Sequence, residues 1–209
     1  MKYPNAYEGL KKLFVAEILL VVVAAGGVAV QIMTASALKA GSEIPSEAAS
    51  VATLCMIVTI AGYIVNLLGL NQAGKDEAFF RTAFMMALLT VAASVASSVL
   101  TAIGYDSAQS IAATIGELLQ IFIIIYTIYG IGSLAEKSKS TDLAQLSRKL
   151  LMLIPAILFI SMAVRLVGGF SGGKIADETV ETAAAVAVLA AHIIYMVLLG
   201  KAAKTFGRK

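Results

Sequence analysis

Apolar residues dominate this chain in six long blocks, and polar residues collect between them. The blocks run roughly over 13–35, 49–70, 82–104, 108–132, 149–170 and 179–200. Each is close to the ~20 residues an α-helix needs to cross the hydrocarbon core of a bilayer. The pattern predicts an all-α polytopic membrane protein with six transmembrane helices. Its connections are short. The longest, "AEKSKSTDLAQLSRK", is polar and is expected to contain a helix start near Thr141. No segment has the length or composition of a separate soluble domain, so residues 1–209 are expected to form one transmembrane domain. The first block is too long for the apolar region of a signal peptide and carries Glu17, which argues against cleavage after it.

Composition agrees with the pattern. Of the 209 residues, 59% are hydrophobic and 14% charged, with a mean hydropathy of +0.90. Soluble domains carry about 25% charged residues. The net charge of +3 is small, and its placement matters more than its size. Lys2, Lys11, Lys12, Lys75, Arg81, Lys137, Lys139, Arg148, Lys149, Lys201, Lys204, Arg208 and Lys209 all fall at one set of block ends. Only Lys39, Arg165 and Lys174 fall at the other set, which instead holds Glu43, Glu47, Asp106, Asp177, Glu178 and Glu181. The positive-inside rule then puts both termini in the cytoplasm of a cell whose cytoplasmic (inner) membrane holds the protein. An even number of spans is needed for that, and six provides it.

The blocks also read as three consecutive hairpins. Aligning "GLKKLFVAEILL", "AFFRTAFMMALL" and "QLSRKLLMLIPA" superimposes Lys12, Arg81 and Arg148. Tyr63 and Gly69 match Tyr126 and Gly132, with Tyr195 and Gly200 following slightly out of step. Hairpin repeats over 8–75, 77–139 and 144–204 would be parallel repeats about an axis along the membrane normal. Any set of membrane hairpins shares part of this pattern.

Polar residues inside the blocks are the candidates for chemistry, because a charge at bilayer depth costs roughly 2.5–3.5 kcal/mol on insertion scales. Glu17 lies five residues past Lys12, about 7–8 Å along a helix. It is expected to face the bundle near the cytoplasmic end and to have a partner. A snorkelling glutamate paired with a cytoplasmic lysine is the bland alternative. Beside it, "AAGG" at 24–27 permits close helix approach. Glu117 is deeper, with Gln120 at i+3 and Ser110, Thr114 and Thr127 on the same stripe. That polar face is expected to look into the bundle, opposite the apolar "IFIII". Arg165 is the obvious partner if Glu117 is structural; otherwise Glu117 is a proton carrier or solute ligand. His192 has Tyr195 at i+3 and is either a packing residue or a proton-relay partner for Glu17 or Glu117. Asn66 shares a face with Thr59 and Tyr63. Ala83, Ala87, Thr90, Ser94, Ser97 and Thr101 form a small-residue seam expected to pack closely on another helix. Pro155 should disturb the fifth span.

Cys55 stands alone, so an internal disulfide or a multi-cysteine metal site is excluded. No catalytic motif is present, and neither a metal site nor a cofactor is expected. The basic residues are explained by topology, not by nucleic acid. Two functions fit. One is a transporter or permease subunit that binds a small solute, an ion or a proton between helices. The other is a non-catalytic scaffold, regulatory or assembly subunit that joins other membrane proteins.

Overall fold

A computed structural model describes residues 2–39, 46–170 and 178–207. The chain forms six helices: α1 (Pro4–Lys39), α2 (Ser46–Ala73), α3 (Ala78–Ala102), α4 (Asp106–Lys137), α5 (Thr141–Phe170) and α6 (Glu178–Gly207). The shortest, α3, has 25 residues, which is about 38 Å at 1.5 Å per residue. Every helix is long and apolar enough to cross a membrane. The molecule is therefore an all-helical multi-pass membrane protein in its class, with apolar side chains such as Leu54, Met85, Ile111, Met152 and Val197 turned outward.

The helices are longer than the apolar blocks. α1 begins nine residues earlier than its block and α4 ends five residues later. A helix satisfies its own backbone, so it continues through polar flanks at little cost until the chain must turn. Thr141 accordingly sits within α5, at its first residue, and the turn before it is only Ser138–Ser140. α5 is continuous through Pro155. The glycine-rich stretch 168–174 is divided: α5 reaches Phe170, and the rest lies outside the described residues, as do Glu43, Lys174 and Asp177.

Neighbours follow chain order and close on themselves. α1 packs on α2 and α6, α6 on α5, α5 on α4, α4 on α3, and α3 more lightly on α2. The two ends of this assembly differ. At the end where the termini meet, Leu10, Leu13, Leu70, Phe80, Ile131, Leu134, Leu198, Leu199 and Ala202 are essentially inaccessible. Gly9 is the closest approach there, since a Cβ on it would lie 2.6 Å from the backbone nitrogen of Ala73 and the carbonyl oxygen of Gly69. At the far end, packing thins out. The third-span seam shows the change within one helix: Ala83, Ala87 and Thr90 are buried, while Ser94 and Thr101 are exposed. Most of its hydroxyls turn back on their own helix, as in Ser94 to Thr90 and Thr101 to Ser97, while the half-buried Ser97 donates to the Gln109 carbonyl of α4 at 3.4 Å. Close packing along the seam therefore belongs mainly to its first half. The "AAGG" stretch behaves similarly. A Cβ on Gly26 would meet the Cys55 sulfur of α2 at 2.6 Å, whereas Gly27 has open space.

Two acidic residues in the α2–α3 turn lock the terminal end. Asp76 accepts hydrogen bonds from the Ala6 backbone amide (2.8 Å) and the Asn5 side-chain amide (2.9 Å). That places a carboxylate on the orphan donors at the start of α1, where the helix dipole favours it. Glu77, 6% exposed, accepts from Ser133 (3.0 Å) and pairs with Lys137 at the end of α4.

Candidate functional site

Glu17 leaves α1 toward the interior and is 2% exposed. Its Oε1 lies 2.6 Å from Nδ1 of His192 on α6, and the His192 side chain is 13% exposed. The partner is thus a histidine of the last helix and not a lysine, and the carboxylate stays inside the bundle. Close packing of α1 on α6 allows this, because Gly200, two turns beyond His192, admits the Phe14 ring at 3.0 Å from where a Cβ would stand. When the carboxylate is ionised it only accepts, and Nδ1 then carries the hydrogen in this contact.

A water-sized cavity of about 20 Å³ adjoins the pair. Glu17, Tyr63, Asn66, Gln120, His192 and Tyr195 supply its polar lining. Such a volume holds a single buried water when two to four polar partners surround it. Tyr63 donates to Oε1 of Gln120 at 3.5 Å, a weak contact that joins α2 to α4. Tyr195, 2% exposed, closes the same cavity from α6.

The second charged pair is built differently. Arg165 on α5 approaches Glu117 on α4 through both terminal guanidinium nitrogens, Nη1 and Nη2, each at 3.1 Å from a different carboxylate oxygen. This two-pronged contact suits the planar fork of arginine. Yet the Arg165 and Glu117 side chains remain 53% and 44% exposed. They border a larger cavity of about 210 Å³ between α4, α5 and α6, lined also by Gln120, Leu158, Met162, Val188 and His192.

All six residues singled out from sequence line one of the two cavities: Glu17 and Asn66 the small one, Glu117 and Arg165 the larger one, Gln120 and His192 both. The remainder of the Glu117 stripe does not join them. Ser110 is exposed, and Thr114 bonds to the Ser110 carbonyl. The apolar "IFIII" stretch also departs from expectation. Ile121, Ile123 and Ile124 are buried and line the cavities beside the polar groups. Consecutive helical residues step about 100°, so five of them encircle the helix and cannot form one lipid-facing face. Tyr63 and Tyr195 complete the small cavity and were discernible only as i−3 and i+3 neighbours of Asn66 and His192.

Among the described residues no cluster of three or more potential metal ligands exists. Comparison with protein families, with curated proteins and with solved structures finds no match for this chain.

Proposed function

We propose that the protein is a small transporter or permease subunit of the cytoplasmic membrane, which binds a small solute or ion between its helices without catalysing a reaction on it. In this reading the six helices form three hairpins with both termini in the cytoplasm, because the basic residues gather at the terminal end. One observation carries it: four of the six intramembrane polar residues, Glu117, Gln120, Arg165 and His192, border a 210 Å³ cavity instead of vanishing into tight packing. Intramembrane ionisable groups that line a cavity commonly mark solute or ion pathways. The volume is below the 300–1,000 Å³ common for drug-sized ligands, so the solute is small.

The scaffold or assembly-subunit reading draws on a different observation. Both charged pairs satisfy themselves internally, and the outer half of the α3 seam is exposed to lipid or to another chain. Thermal unfolding of the purified protein against a panel of metabolites and ions, at two pH values, separates the two. A ligand at 100 times its dissociation constant adds about 2.7 kcal/mol of stability. A shift that disappears in Glu117→Gln supports a binding site. No shift with any compound, in folded and monodisperse protein, overturns the transport reading in favour of the scaffold.

A further inference from the structure

The Glu17–His192 pair lies at the junction of the two cavities, and the His192 ring lines both. Its Nδ1 is held by Glu17, while Nε2 makes no hydrogen bond to any described residue. Toward the terminal end the way is closed by Leu10, Leu13, Leu70, Ile128, Leu198 and Leu199, all no more than 1% exposed. Toward the far end lies the larger cavity. The imidazole is therefore a bridge with one accessible side and one dry side.

Charge counting shows what such a bridge holds. Glu117 and Arg165 cancel each other in their two-pronged contact. With a neutral imidazole, Glu17 is left as one uncompensated carboxylate, 2% exposed, at bilayer depth. With an imidazolium the pair is neutral overall. Among the described residues no other cation replaces that proton: the groups facing the pair are Tyr195 on α6, Tyr63 and Asn66 on α2, Glu117 and Gln120 on α4, and Arg165 on α5, already engaged. A buried carboxylate without a compensating charge is unfavourable, so occupancy by one proton and the protein's interior charge are linked.

We propose that the Glu17–His192 pair is a proton-binding site loaded from the larger cavity through His192. The step is a plain transfer. A hydronium ion reaching the cavity gives a proton to the Nε2 lone pair, breaking its O–H bond, forming an N–H bond and leaving water, while Nδ1–H continues to donate to Glu17. Release reverses it, returning the proton to the cavity. In its biological meaning the proposal rests on the transport reading, since a proton held beside the solute cavity is the coupling ion for whatever that cavity carries.

The test uses the fact that the chain has a single histidine. Protein labelled with 15N-histidine gives the imidazole signals of His192 alone. They are followed from about pH 5 to pH 10, a range wide enough for an imidazole beside a carboxylate. Reversible movement of the Nε2 signal between its neutral and protonated positions, with no solute present, is the expected result. Signals that stay fixed over the whole range overturn the proposal and leave a structural ion pair. Access is tested in Cys55→Ala/Val188→Cys, because Val188 lines the larger cavity. Filling that cavity with a bulky thiol reagent should abolish the pH response or split it into two slowly exchanging signals. An unchanged response overturns loading through this cavity. Because no solute enters either measurement, the proton site can stand where the solute panel fails, and can fail where the panel succeeds.

Discussion

Two carboxylate–base pairs hold this bundle together across helices, and they differ in almost everything but chemistry. Glu17–His192 joins the first helix to the last, across 175 residues of sequence, with both partners withdrawn from solvent. Glu117–Arg165 joins adjacent helices, with better hydrogen-bond geometry and about half of each side chain exposed. Geometry alone would rank the second pair as the stronger. Burial reverses the ranking of what their loss costs. Half-exposed Glu117 and Arg165 have room to find other partners when one is lost, whereas nothing in the interior can replace His192 for Glu17.

Removing one partner should expose the difference most sharply. His192→Leu strands Glu17 in a dry interior and Glu17→Leu leaves the buried Nδ1 side of His192 without its partner, and breaking a buried pair from one side costs roughly 3–5 kcal/mol. Thermal or denaturant unfolding in detergent should show a large loss of folded protein for either single change. The double change Glu17→Leu/His192→Leu should regain much of it, since an apolar replacement of both partners leaves no group unsatisfied. A Glu17→Leu protein as stable as the parent would mean that the carboxylate reaches the headgroups after all.

The contrast between the pairs follows a contrast between the two ends of the bundle, and glycines sharpen it. Gly9→Ala would push a methyl group to 2.6 Å from the α2 backbone, which cannot swing aside as a flexible side chain could. Overpacking of that kind typically costs about 1–3 kcal/mol, and an unfolding midpoint measured in detergent should fall accordingly. Gly27→Ala at the open end meets nothing within 4 Å. It should leave stability unchanged or raise it slightly, because alanine is the better helix former. Equal effects at the two sites would mean that the far end is packed as tightly as the terminal end.

How much of this was visible beforehand divides along the same physical line. Six apolar blocks of membrane length announce six helices, because within a bilayer each helix must satisfy its own backbone. The polar residues inside those blocks were visible for the same reason, since each stands against a strong composition. What the blocks do not encode is which helix meets which. The pairing of Glu17 with His192 depends on α1 packing against α6, and no local periodicity carries a contact between residues 175 apart. The Asp76 and Glu77 locks were hidden in another way. They lie in a short turn among basic residues, where topology seemed to account for every charge, and their partners, the start of α1 and the end of α4, are also distant in sequence. Burial of Ile121, Ile123 and Ile124 is not legible in the run itself, because five consecutive apolar residues encircle a helix and mark no single face.

The smallest expected effect belongs to the exposed pair. Glu117→Gln keeps the shape and loses the charge, and Arg165→Gln does the same from the other side. Exposed pairs contribute about 0–1 kcal/mol, since water and salt screen them and two long side chains must be held in place. Each single change, and the two together, should therefore leave the unfolding transition within that range. The cycle formed by the four proteins reports the coupling directly. If Glu117→Gln unfolds the protein and Arg165→Gln added to it restores the fold, the pair is structural, and the cavity it borders loses its best argument for holding a solute. If all four proteins unfold alike while ligand-induced stabilisation is lost in the singles, Glu117 and Arg165 serve the cavity and leave the fold to the dry pair below them.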